Sequence, residues 1–156
     1  MTPSSKLWTR RAIAVLQIAG GAYGLSIFIS SFSGTAPTPA HLPVVWLIAL
    51  ASLTLAAASL YAGLLLAEGH AQGIRLSQYV QWIQVPSLSI PLINYAMGMG
   101  PMFRILLVPQ TPDVLFQFNF GYTFDFWIQP AQFSWAFGAN ITAVVCLYFL
   151  RKLRAN

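Results

Sequence analysis

Four long apolar segments, almost free of charge, constrain this chain more than any other feature. They run Ala12–Phe32, Pro43–Ala67, Ile74–Met99 and Phe133–Leu150, and only Arg75, at the start of the third, interrupts them with an ionisable Asp, Glu, Lys, Arg or His. As a helix rising about 1.5 Å per residue, each would cross a hydrocarbon core of about 30 Å. The sequence therefore predicts an all-α membrane protein, a four-transmembrane-helix bundle forming a single integral membrane domain over residues 1–156. The predicted spans are about 12–32, 43–67, 74–99 and 133–150, with an outer loop at 100–131. With 57% hydrophobic and 7% charged residues, the chain leaves no room for a separate soluble domain.

The charges orient this expected bundle. Of the eight Lys and Arg residues, Lys6, Arg10, Arg11, Arg75, Arg151, Lys152 and Arg154 all fall on one side of a four-span topology, and only Arg104 falls on the other. Basic flanks are retained in the cytoplasm, so both termini and the Glu68–Gly73 turn are expected there (N-in/C-in), in a membrane of the bacterial inner (plasma) membrane kind. The net charge of +5 then serves topology and attraction to anionic membrane lipids, not nucleic-acid binding. Thr9-Arg10-Arg11 before an apolar run matches part of a twin-arginine export signal. The run is longer than a signal's apolar core, which favours a plain anchor helix. Cys146 is the sole cysteine, so no intramolecular disulfide can form, and it reads as a buried apolar residue.

Gly20 and Gly24 form a small-xxx-small pair on the first segment, and Ser52/Ala56, Ala58/Ala62 and Ser59/Gly63 repeat it on the second. Such faces let backbones approach closely, against a neighbouring helix of the same chain or a partner. In the third segment Ser77, Gln81, Gln84, Ser87, Pro91 and Asn94 share one helical stripe. A stripe of amides must face protein or water, as unpaired amides in lipid are costly. It supports either interhelical hydrogen bonding, with Gln17 as a partner, or a polar pathway.

The outer connection contains Phe116, Phe118, Phe120, Tyr122, Phe124 and Phe126 in strict alternation with Gln117, Asn119, Gly121, Thr123 and Asp125. Period two means strand. With Asn119-Phe120-Gly121 as a three-residue loop, the sequence predicts a small extracytoplasmic β-hairpin, Val114–Phe118 against Tyr122–Phe126, with one aromatic and one polar face. An isolated hairpin is marginal in water, so its aromatic face needs the bundle rim, lipid or a partner. Arg104, Asp113 and Asp125 are the charges near it and read as a structural ion pair.

Chemistry-bearing groups are scarce. No carboxylate, Lys or His sits inside a predicted span, which removes the parts of a proton relay. His41 and His70 fall on opposite sides and cannot share a metal or haem. Gly24-Leu25-Ser26 lacks the closing Gly and the base of a serine nucleophile motif. Asn140-Ile141-Thr142, a glycosylation acceptor pattern, lies inside the fourth segment. The sequence thus gives no catalytic residue, metal or cofactor. It favours a non-catalytic accessory or binding subunit that docks a membrane protein, a second copy or lipid. The docking residues would be Phe116, Phe118, Tyr122, Phe124 and Phe126 with Gly20 and Gly24. The alternative is a carrier or channel for a neutral or lipidic solute using Gln81, Gln84 and Asn94.

Overall fold

The computed structural model describes residues 2–32, 42–90, 93–111, 113–128 and 135–154, without the side chains at 3, 31–32, 42, 44–45 and 125–128. Most of the first predicted outer connection and residues 129–134 therefore lie outside the described residues. In chain order the elements are α1 (Pro3–Phe32), α2 (Leu42–Glu68), α3 (Ala71–Gln84), β1 (Pro86–Ile90), β2 (Ile93–Val108), β3 (Asp113–Ile128), β4 (Ala136–Asn140) and α4 (Ile141–Arg154).

α1 and α2 pack as an antiparallel pair through the small residues the sequence places on them. A Cβ on Gly21 would lie 2.6 Å from the Leu60 backbone nitrogen, and one on Gly63 would lie 2.8 Å from Ile18. Both helices are long and apolar enough to cross a membrane, over Ser4–Ser30 and Trp46–Glu68. The core helix of a soluble protein can pass the same length and composition test, but it is mostly buried; here only 33% and 22% of the two apolar windows is buried.

The four-span, all-α reading is overturned. α3 and α4 have 14 residues each, about 21 Å of helix, too short to cross alone. The third apolar segment stops being helical at Gln84. Pro86 has no N–H to donate, and Ser87-Leu88-Ser89-Ile90 alternates and pairs as β1. The fourth segment begins as strand β4 and becomes helical only at Ile141. There Asn140 caps α4, its Oδ1 accepting from the Ala143 N–H at 3.4 Å. β1 and β4 are five-residue strands set inside longer apolar runs, and a short apolar run does not by periodicity separate strand from helix.

The proposed short hairpin is corrected too. Residues 113–128 form one uninterrupted strand whose partner is β2, from Ile93↔Ile128 to Val108↔Asp113. The turn lies at Pro109-Gln110-Thr111, where the Thr111 N–H donates to the Val108 carbonyl at 3.2 Å, and not at residues 119–121. Gly121 does have a positive φ of 126°, but it sits in mid-strand opposite Gly100, whose φ is 89°. This paired glycine step lets the long ribbon bend.

β2 pairs through 93–96 with β1 and through 104–107 with β4, while β1 and β4 pair with each other. Three strands thus close on themselves, with β3 added outside along the whole of β2. Two apolar cores result. Ile13, Ala14, Leu66, Cys146 and Leu150 join the helices at one end, and Ala62, Val80, Met97 and Met99 join helices to sheet. The helical end gathers the positive charge. Gly69 abuts Arg10 there, Leu150 packs with Ile13 and Leu66, and Arg75, Arg151 and Arg154 line a common cleft.

Candidate functional site

The β2–β3 ribbon has two chemically opposed faces because both strands alternate in register. Tyr95, Met97, Met99, Phe103 and Ile105 oppose Phe126, Phe124, Tyr122, Phe118 and Phe116 of β3, with Leu107 opposite Val114, while Ala96, Met102 and Arg104 oppose Asp125, Asn119 and Gln117. The structure splits the aromatic face into two halves with different fates.

The first half is consumed by the helices. Tyr122 and Phe124 pack on the core built from Ala62, Val80, Met97 and Met99. The Tyr122 hydroxyl and Ser52 Oγ are 2.5 Å apart, and the same hydroxyl donates to the Ser52 carbonyl at 3.1 Å. Gly20 and Gly24 serve this contact. A Cβ on Gly20 would sit 2.7 Å from the Met99 carbonyl carbon, and one on Gly24 would sit 2.6 Å from the Tyr122 ring. The small-residue face of α1 is therefore filled by the sheet of its own chain and is not open to a partner. Phe126 occupies the strand position opposite Tyr95; its side chain and that of Asp125 lie outside the described residues.

The second half is uncovered. Phe116, Phe118 and Phe120 are 66%, 68% and 76% exposed. Phe116 stacks on Phe103 at 6.1 Å between centroids, and Leu107 and Phe137, paired across β2 and β4, continue the exposed apolar surface. β3 is also the edge of the sheet, in the order β1-β4-β2-β3.

The polar face lines a cavity of about 370 Å³ whose walls include Ser87, Ser89, Asn94, Arg104 and Gln117. Arg104, which sequence reasoning set on an outer loop, is buried in the sheet at 8% exposure. With the Asn119 amide turned so that its oxygen faces the guanidinium, Arg104 Nη2 donates to it at 3.1 Å. Ser87 Oγ is buried in this wall without a hydrogen-bond partner among the described residues.

The predicted helical stripe is divided between two elements. Ser77, Gln81 and Gln84 are buried on α3, whereas Ser87 and Asn94 belong to strands. Ser77 Oγ donates to Gln17 Oε1 at 2.7 Å, Ser59 Oγ donates to the Gln17 carbonyl at 3.2 Å, and Gln84 Oε1 accepts the Met99 N–H at 3.0 Å. These are interhelical and helix–sheet bonds, and the Gln17 and Gln84 amide nitrogens beside them are buried without a partner among the described residues. Asn140 was missed as a structural residue. An Asn placed directly before an apolar periodic run is a helix-start signal, and here it outweighs the glycosylation pattern. Among the described residues no three His, Cys, Asp or Glu side chains gather to hold a metal.

No protein family, curated protein or solved structure matches the chain in comparisons with known proteins.

Proposed function

We propose that this protein is a non-catalytic accessory or binding subunit of a membrane, anchored by α1 and α2 and docking a membrane partner through β3. The observation that carries this reading is the exposed aromatic half of β3, Phe116, Phe118 and Phe120, on an edge strand beside two exposed apolar helices. If α1 crosses the membrane with Arg10 at its surface, Gly20 lies about 15 Å further in. The sheet that touches Gly20 is then at membrane depth. An open strand edge is not stable in hydrocarbon, where no water satisfies its N–H and C=O groups. β1 and β4 are each paired on both sides, and Arg104 is buried in the sheet, whereas Gln117 and Asn119 beside it on β3 are exposed. β3, paired on one side only, is where the fold needs a second surface. Strand addition with aromatic anchors supplies both backbone bonds and apolar burial.

The test is to place a photo-crosslinking residue at Phe118 in intact membranes, and in parallel to change Phe116, Phe118 and Phe120 to Ser. The expected result is one discrete crosslinked protein, lost from the purified complex of the triple variant while the variant resists carbonate extraction. Crosslinking to lipid alone would replace the protein partner by the bilayer. The rival transport reading draws on Gln81, Gln84 and Asn94. It is weakened because Gln84 is already held by the Met99 backbone, and it would win only if substitutions at Gln81 and Gln84 abolished uptake of a solute while the β3 variant left its partner bound.

A further inference from the structure

The end of the molecule that carries the basic residues has a cleft between α3 and α4, about 740 Å³, lined by Arg75, Gln78, Tyr79, Trp82, Arg151 and Arg154. Its arginines meet no carboxylate among the described residues. The chain has three carboxylates besides its terminus, Glu68, Asp113 and Asp125. Glu68 Oε2 lies 3.1 Å from His70 Nδ1, and among the described residues no carboxylate lines the cleft. The guanidinium of Arg151 lies 5.7 Å over the Trp82 ring, so its position is set by an aromatic face and its N–H groups remain available to an acceptor.

We infer that this cleft is a binding site for the phosphate of an anionic phospholipid headgroup. Three arginines with no carboxylate among them match a phosphate diester, to which guanidinium groups offer paired N–H donors. The walls decide between a lipid and a free phosphate. Tyr79 and Trp82 are 68% and 51% exposed, and on the next face of α4 Lys152 Nζ lies 4.8 Å over the Tyr148 ring. An inorganic phosphate has no use for aromatic walls. A glycerolipid lays its glycerol backbone and first methylenes on them, and basic and aromatic side chains mix in this way at a membrane surface. The cleft sits at the end of the molecule where α1 begins and α2 ends, beside Lys6, Arg10 and Arg11, where a bilayer surface would lie; the inference rests on the membrane reading above.

The test titrates the purified full chain in mild detergent with dihexanoyl phosphatidylglycerol, dihexanoyl phosphatidylcholine and inorganic phosphate, reading thermal unfolding. Separately, the chain is reconstituted into vesicles of phosphatidylcholine alone and extracted with carbonate. The expected result is saturable stabilisation by phosphatidylglycerol only. Affinity should drop by about tenfold or more in Arg75→Gln/Arg151→Gln, and by a smaller step in Arg154→Gln should the double variant fail to fold. Lys6→Gln/Arg11→Gln, which removes the same charge from the same end outside the cleft, should stay within about threefold. Equal losses in the two double variants, or phosphatidylcholine binding as well as phosphatidylglycerol, overturn the site. Inorganic phosphate binding as tightly overturns the lipid assignment. Carbonate extraction separates the two readings: release from the vesicles removes the membrane reading, whereas retention without phosphatidylglycerol selectivity removes only the cleft.

Discussion

At the scale of single residues, close approach and buried polar groups govern what substitution does. Gly20→Ala should destabilise even though Ala is the better helix former. The propensity gain is about 1 kcal/mol, whereas a new methyl 2.7 Å from the Met99 backbone has no flexible side chain to displace, and overpacking costs about 1–3 kcal/mol. Denaturant titration should show the net loss. Gln84→Leu is more damaging than its position on a polar stripe implies. It strips the acceptor from the buried Met99 N–H, at about 1–3 kcal/mol for the orphaned donor, while an interhelical bond such as Ser77–Gln17 averages about 0.6 kcal/mol in membranes. Ser77→Ala should therefore be the milder of the pair in the same titration. Burial in the helical core pushes the Cys146 thiol up from 9.0 to about 11, which leaves on the order of 100-fold less thiolate at neutral pH. Alkylation by iodoacetamide at neutral pH should be slow and should accelerate on unfolding. Because burial favours the neutral thiol, the stability this contributes is intact below pH 9.0 and is lost as pH rises through about 11.

At the scale of elements, what the sequence made legible was periodicity; what it hid was partnership. The alternation from Phe116 to Phe126 is a strand because nothing but a period of two places every second side chain on one face. Gly121 misleads as a turn residue because positive φ serves equally to bend a ribbon, and its pairing with Gly100 involves a residue 21 positions away. Pro86 breaks the third apolar segment and opens β1, which the pull of a run long enough to span a bilayer concealed. Gly20 and Gly24 were legible as a close-packing face but not as a seat for Met99 and Tyr122, since a sheet is a less obvious neighbour than a helix. The exposed half of β3 allows a direct test of its role in the fold. Phe118→Ser should change unfolding stability by less than about 0.5 kcal/mol, as for a surface substitution. Phe124→Ser removes a ring from the helix–sheet core, and should cost about 3 kcal/mol or more. Equal costs would mean that Phe118 is covered by the chain itself.

At the scale of the whole molecule, charge distribution and helix pairing determine a single orientation for an inserted chain. α1 and α2 are antiparallel, so the 33–41 connection follows the end of α1 opposite Arg10, while α4 returns Arg151, Lys152 and Arg154 to the end that holds Lys6, Arg10, Arg11 and Arg75. Losing two of the four expected spans leaves this asymmetry intact, because α3 and α4 are short helices that run out from the basic end and back to it. For an inserted chain, retention of Lys and Arg on the cytoplasmic side predicts both termini inside. A cysteine replacing Thr38 should react with a membrane-impermeant maleimide applied from outside, and a cysteine appended after Asn156 should react only once the membrane is opened; the buried Cys146 serves as the unreactive background in both. Labelling of the appended cysteine from outside, with Thr38→Cys protected, would reverse the orientation and put the basic cleft on the outer surface. Labelling of both without opening the membrane would mean that α1 and α2 do not cross at all, and their exposed apolar faces would then need a protein partner along their whole length.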